Sequence, residues 1–475
     1  MYRVRSILTI LALCVCAAFA GCRASGNPFG SSGQSGNSSM VLAMTDTPPS
    51  NASILSAEVT LTGATLTPGN VSLLPAPAQV ELTRLQTDVA YLATATNIPA
   101  GNYTGLTLTF SNPLLTIEND TTSVIGNCAV SAICNMAPTS VANLSTSVTL
   151  QPISLAANSA AGLLVDVNLE NLLSATLGAD FKNGVTASSF TPAGSDAPLV
   201  GAEDVVGQVG SVSGSNSTFT LSNAMGSYSL AVDGSTTFFQ FPTSACATPC
   251  FSCLAANQVV SVDISIRADG TPVARNIVFE DADRSDTEVE GVITGTNVGS
   301  QQFSIVTLGE SGAVTGLLIG DTATVHYTAA PQTPFDVDFV HADNAAVSTS
   351  GYLFAAPTDL SVGQEVSIRR NASSSGNSIT ADRVRLRSSR ITANVQSLGA
   401  PNIYLGAGTI PSIFSAHGVT ELQAQTVPST IYYELGGSIS SSNITLGNLV
   451  SVRGPLFNAS GSSTRPMVVT KVVLK

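Results

Sequence analysis

Short apolar runs separated by turn residues mark most of this chain. Between residues 40 and 190 they include Val41-Leu42-Ala43-Met44, Ala57-Glu58-Val59-Thr60-Leu61 and Leu163-Leu164-Val165-Asp166-Val167. In the run Gly105–Phe110, Leu106, Leu108 and Phe110 fall on one face and Thr107 and Thr109 on the other. That period of two predicts a half-buried strand. Residues 168–177 are the best short-helix candidate. Residues 191–204 read as a linker, because their Pro and Gly break both regular structures.

Beyond this linker the chain repeats itself. Ala256-Asn257-Gln258-Val259-Val260-Ser261-Val262, Val362-Gly363-Gln364-Glu365-Val366-Ser367-Ile368 and Leu446-Gly447-Asn448-Leu449-Val450-Ser451-Val452 share one pattern. Its order is apolar, Gly or Asn, Gln or Asn, any residue, Val, Ser, apolar. Gly or Asn at the second position predicts a turn with positive φ. Each copy is followed by a closing strand (Val273–Glu280, Ile379–Leu386, Met467–Leu474) and preceded by an opening hairpin, weakest in the third copy. Successive copies lie 106 and 84 residues apart, too far for a solenoid repeat, so each copy is a small domain of five or six strands. The expected fold class is all-β: a sandwich-like domain over 40–190, then three small barrels over 205–286, 287–389 and 390–475.

Composition agrees with strands. The 475 residues are 44% hydrophobic and only 10% charged, with 40 Gly and no Trp. The low charge and ample apolar content exclude global disorder. Eighteen basic against 31 acidic residues give a formal charge of −13, which argues against nucleic acid as a partner.

The amino terminus reads as an export signal. Arg3 and Arg5 precede an apolar stretch, Ile7–Ala20, too short for an ordinary membrane-spanning helix. Phe19-Ala20-Gly21-Cys22 then resembles the lipobox of bacterial lipoproteins, except that Phe19 stands where that motif prefers Leu. The resemblance implies cleavage after residue 21, diacylglycerol on the Cys22 thiol and anchoring by two or three acyl chains. Arg23 in place of Asp implies, by the same resemblance, the outer membrane. Residues 22–39 form a Gly/Ser-rich tether that holds the folded part off the bilayer.

Two further resemblances concern the folded part. Thr45-Asp46-Thr47-Pro48, the stretch from Val80-Glu81-Leu82 to Ile98-Pro99-Ala100-Gly101-Asn102-Tyr103, and Leu163–Leu169 are similar in order and spacing to an exported bacterial family, domain of unknown function 4382. That family implies a β-rich extracytoplasmic domain and no chemistry. The later repeats resemble domain of unknown function 5666, implying barrels of the oligonucleotide/oligosaccharide-binding type. Ligand binding does not follow from fold alone.

Candidate chemistry is sparse. Cys14 and Cys16 leave with the signal. Cys128 and Cys134 close a short loop and are expected to pair; Cys246, Cys250 and Cys253 are disulfide candidates with one thiol left over. Their spacing also matches the cluster motif of radical enzymes that use S-adenosylmethionine, a reading that export and β-type surroundings oppose. A zinc site lacks a nearby fourth ligand. His326, His341 and His417 form no paired motif, and neither a nucleophile elbow nor a phosphate loop occurs. The acidic run Glu280–Glu290 places Asp281, Asp283 and Ser285 in alternation like a calcium loop, but Asp286 stands where the sharp turn needs Gly; the plainer reading is a solvated linker. Arg383, Arg385 and Arg387 alternate along a strand, with Arg369 and Arg370 on the strand before and Arg390 after. This stripe either grips a polyanion, by bidentate bonds to a carboxylated glycan or a lipid phosphate, or pairs with the acidic run or a neighbouring domain. Asn-x-Ser/Thr triplets, as at Asn51, Asn102 and Asn143, read as composition.

The expected function is therefore a lipid-anchored envelope protein with a non-enzymatic binding or structural role. Its expected partners are the membrane and envelope glycan or protein, with no cofactor and no metal. The alternatives are an extracytoplasmic enzyme acting on polysaccharide through a carboxylate pair, or a calcium-dependent adhesion module.

Overall fold

The computed structural model describes residues 38–48, 53–192, 202–223, 226–242, 246–282, 288–310, 317–328, 333–338, 347–348, 350–371, 374–406, 408–434, 437–459 and 461–475. Cys22, the tether up to residue 37, His341, Asp283 and Ser285 lie outside them, and the first strand already begins at Ser38, two residues before the expected domain start. The described part is all-β.

The amino-terminal domain is two packed sheets. One has four strands in the order Val185–Phe190, Ala160–Asn168, Ser38–Thr47, Ala90–Ile98, with the middle two parallel. The other is built on the long pair Ile54–Thr67 and Gly101–Glu118, flanked by Ser145–Leu155. Leu106, Leu108 and Phe110 all point into the core, at most 2% exposed, as their alternation requires. Phe181 stacks on Phe110 with ring centroids 4.7 Å apart. The strand from Ser38 reads as an unbroken apolar run because both its faces are covered. Met40, Leu42 and Met44 enter the sandwich core, while Val41 packs into the core of the first barrel.

The expected helix over 168–177 shrinks to one turn, Leu169–Leu172. The Asn168 side chain caps it by accepting the Asn171 N–H. Leu173 is already extended, and Ser174 Oγ accepts the Gly178 N–H to turn the chain back. The turn buries Leu169 and Leu172, whereas Leu173 and Leu177 pack on the core from non-helical backbone, Leu177 with a φ of 60°.

Three closed five-stranded barrels follow, with identical connectivity. In the first the strands are Ala202–Ser213, Thr218–Asn223, Gly226–Ala231, Val259–Ile266 and Pro272–Asp281. In the second they are Glu288–Asn297, Gln302–Glu310, Thr322–His326, Glu365–Arg370 and Ser378–Leu386. In the third they are Ser388–Gly399, Asn402–Gly406, Glu421–Glu434, Leu449–Pro455 and Thr464–Leu474. Around each barrel the order is first, second, third, fifth, fourth, closed by parallel pairing of the third and fifth strands. This is a Greek-key barrel of the oligonucleotide/oligosaccharide-binding type.

The sequence repeat is the turn that starts each fourth strand. Its second residue has positive φ in every copy: Asn257 at 75°, Gly363 at 85° and Gly447 at 82°. Its third residue folds an amide back onto the turn: Gln258 Oε1 accepts from Ala255 N, Gln364 Oε1 from Ser361 N and Asn448 Oδ1 from Thr445 N. The backbone of the same residues pairs with the first strand through Val209, Ile293 and Val395. The repeated Ser points away from the barrel core, yet Ser261, Ser367 and Ser451 are at most 1% exposed, because neighbouring structure covers that face.

Gln364 is fully buried and also donates to the carbonyls of Asp359 and Leu456. Stranding a buried polar group costs about 1–3 kcal/mol. Thermal melting is expected to show a larger drop for Gln364→Ala than for Asn448→Ala, whose amide is only half-buried. Equal drops would show that burial of the turn does not set its contribution.

Candidate functional site at the module junctions

The arginine stripe meets the described glutamates of the acidic run, Glu280, Glu288 and Glu290, in one cluster. Arg383, Arg385 and Arg387 leave the fifth strand of the second barrel on one side, as alternation dictates. Arg385 Nη1 lies 2.5 Å from Glu280 Oε2 and its Nε 3.6 Å from Asp336 Oδ1. Arg387 Nη2 is 2.9 Å from Glu290 Oε1, and its Nη1 bonds Asp338. Arg84, from a short turn of the sandwich, places Nη1 2.5 Å from Glu290 Oε2. Arg383 Nε reaches Asp336 at 2.8 Å, and the Ser367 hydroxyl donates to Glu288.

The polyanion reading is therefore corrected for Arg385 and Arg387. They are 2% and 4% exposed and committed to carboxylates. Arg383, part-exposed, is held by Asp336. Arg369 and Arg370 are half-buried on the fourth strand, with Arg369 in register between Glu288 and Arg383. The solvated-linker reading fails too at Glu280, Glu288 and Glu290, all buried. A carboxylate that enters an apolar junction needs a cation against it, and the stripe supplies one.

Five carboxylates thus gather around four guanidiniums. Burial first, and the neighbouring Glu288 charge second, push the Glu280 carboxyl up to about 8, against the pull of Arg385 and Arg387. The anions around Arg385 outweigh its desolvation and hold its guanidinium above its usual range.

A second buried cluster ties the sandwich to the third barrel, and no motif announced it. Asp88 Oδ2 lies 2.7 Å from Arg390 Nη2, and Asp88 Oδ1 3.2 Å from Lys471 Nζ. Arg453 Nε stands at 3.9 Å. Arg390 also reaches Glu365 at 2.7 Å. Burial alone would raise the Asp88 carboxyl; Arg390, Arg453 and Lys471 instead hold it well below the carboxylate range. The signal available in the sequence was Lys471, one of three lysines in the chain, alone within Val468–Leu474. Beside this cluster a cavity of about 70 Å³, lined by Thr83, Gln86, Glu365, Arg390 and Phe414 among others, has room for a few waters.

The other predicted positions are scattered. His326 is exposed on a strand, and His417 Nδ1 sits 2.9 Å from the Ile413 carbonyl, so the structure does not bring them together. Cys128 and Cys134 form a disulfide, as do Cys246 and Cys253, leaving Cys250 an exposed thiol.

Comparison with known proteins adds little chemistry. Residues 206–278, the first barrel, match the family described as Domain of unknown function (DUF5666). No curated protein matches. Among solved structures, the crystal structure of a multidomain protein with nucleic acid binding domains from Streptococcus pneumoniae TIGR4 shares 9% identity over 56% of this chain and 72% of its own. Its TM-score of 0.12 supports no structural argument.

Removing one partner of a buried ion pair costs about 3–5 kcal/mol. Arg387→Met, which removes the nearest cation from Asp338 and one of the two that hold Glu290, is expected to lower the melting temperature and open the module junctions to limited proteolysis. An unchanged melting temperature would show that the cluster holds nothing together. The raised Glu280 pKa means that its contribution to stability is complete below about 4.5 and lost as pH rises towards about 8. Melting between pH 6 and 9 should therefore fall with pH, and Glu280→Gln should flatten that alkaline limb. The depressed Asp88 contributes in the opposite sense: fully above the ordinary value of 3.8, and lost only as pH falls far below it.

Proposed function

We propose that the chain is an exported lipoprotein, anchored in the outer membrane by lipid on Cys22, with a non-enzymatic binding or structural role in the cell envelope. In this reading residues 40–190 are a domain of the unknown-function-4382 type and all three barrels are of the 5666 type.

The observation that carries the proposal is how the barrels attach to the sandwich. The first is held where the Thr94 hydroxyl donates to the Gly270 carbonyl at 2.8 Å. The second is held by Arg84 on Glu290 and by the Thr116 hydroxyl on the Gly320 carbonyl at 2.7 Å. The third is held by Arg390 and Lys471 on Asp88, and by Lys475 on the Asp46 carbonyl at 2.6 Å. Groups able to serve acid–base or anion-binding chemistry are thereby committed to joining modules. Such a body suits presentation of surfaces at the end of a flexible tether.

Envelope glycan is the ligand class that the barrel faces favour. On the third barrel the second and third strands set Asn402 against Gln425 and Tyr404 against Gln423, while Ile403, Leu405, Leu422 and Ala424 fill the core. Amides and a phenol ring offer the hydrogen bonds and flat apolar surface that sugars use.

Two measurements test this. Cys22→Ser is expected to move the protein from the membrane fraction to the soluble fraction and to abolish fatty-acid labelling; retention in the membrane would refute the anchor. Affinity electrophoresis in gels containing envelope polysaccharide is expected to show retardation that Tyr404→Ala with Gln423→Ala reduces at least several-fold. Retardation unaffected by the pair would exclude this face.

A further inference from the structure

Three sulfurs meet on the segment before the fourth strand of the first barrel. Cys250 Sγ lies 3.6 Å from Cys253 Sγ and 4.0 Å from Cys246 Sγ. We propose that residues 246–253 are a thiol–disulfide exchange centre, in which the exposed Cys250 thiol attacks the Cys246–Cys253 disulfide and the free thiol moves among the three positions.

The repeated turn explains why the sulfurs converge. Each barrel carries a short 3-10 turn at this place: Phe251–Cys253, Pro357–Asp359 and Ser441–Asn443. In the second and third barrels its last residue is a plain cap. Asp359 Oδ2 accepts the Ala356 N–H and Asn443 Oδ1 the Ser440 N–H, each at 3.0 Å. In the first barrel that place belongs to Cys253, whose Sγ takes the Cys250 N–H at 3.0 Å. A cap spans three residues by construction, so the capping atom lies beside the residue that it caps. Putting sulfur at both ends of this cap brings a nucleophile and a disulfide together. The second and third barrels have the same turn without cysteine, so the fold does not require the sulfurs.

The surroundings suit the attacking group. Cys250 is solvent-exposed, whereas Cys253 is 5% exposed. Ser252 Oγ lies 3.1 Å from Cys250 Sγ, and hydrogen bonds from Ser252 lower the thiol pKa, favouring the thiolate that performs exchange.

The step balances without an oxidant. Cys250 loses its proton to solvent, and its sulfur lone pair forms the Cys250–Cys253 bond. The Cys246–Cys253 bond breaks, and its electron pair leaves on Cys246 Sγ, which takes a proton from solvent. One disulfide and one thiol stand on each side. Attack on Cys246 instead frees Cys253. A small disulfide from solution is the external substrate class: Cys250 would form a mixed disulfide with one half and release the other half as thiol.

The test uses the full oxidised chain, purified without reductant. It is incubated at pH 8 with N-ethylmaleimide at graded concentrations, and the sites are read by tandem mass spectrometry under non-reducing conditions. At low reagent, label is expected on Cys246 as well as Cys250, with a Cys250–Cys253 cross-link in the Cys246-labelled fraction. The Cys128–Cys134 disulfide serves as the unexchanging internal standard. Label confined to Cys250 at every concentration, with Cys246–Cys253 intact, would overturn the proposal. Cys246→Ser is a second arm that does not depend on alkylation rate. It is expected to yield a Cys250–Cys253 disulfide, and a Cys246→Ser chain with both thiols free after air oxidation would equally overturn it.

Discussion

Charge buried where modules meet is the constraint on which this structure depends. Asp88 of the sandwich sits among Arg390, Arg453 and Lys471 of the third barrel, and Glu280, Glu290 and Asp338 surround Arg385 and Arg387. A charge taken from water into such a place needs its counter-charge within a few ångströms. Apolar faces would tolerate small slips between modules; a slip here would strand a carboxylate or a guanidinium. The clusters therefore act chiefly on geometry, setting which face of each barrel meets the sandwich. A role in register is the best-attested use of buried ion pairs, whose net contribution to stability is small.

This has a consequence for the outer surface. The chain has fifteen arginines, and Arg84, Arg385, Arg387, Arg390 and Arg453 are drawn into the junctions. The same junctions bury Asp88, Glu280, Glu288, Glu290 and Asp338, so charge of both signs is withdrawn from the outer face. The amides, hydroxyls and tyrosines on that face are the groups on which the proposed glycan reading rests. The same economy of residue types appears in the repeated turn, where Asp, Asn and Cys occupy one capping place. Only the sulfur version adds reactivity to the shared geometry.

Much of the fold was legible along the chain because it rests on local rules. Alternation set which side of the Gly105–Phe110 strand is buried. Asn257, Gly363 and Gly447 mark a turn that few residue types enter, so the repeat could be found and each copy read as a small barrel. The helix expected over 168–177 stops after one turn because the chain turns back at Ser174–Gly178, where Leu177 takes a positive φ and Leu173 and Leu177 reach the core without helix.

The charged sites divide differently. Sequence alone determined that Arg383, Arg385 and Arg387 share a face, that Glu280–Glu290 is acidic, and that Cys246, Cys250 and Cys253 crowd one segment, since these follow from spacing. Tertiary structure decided that Arg385 and Arg387 meet Glu280 and Glu290 in a buried junction, and that Asp88 meets Lys471 across nearly the whole chain. It also decided that Cys246 pairs with Cys253 and leaves Cys250 outside. Coulomb energy and desolvation depend on distance and burial in space, and neither quantity is encoded in the separation of residues along a chain.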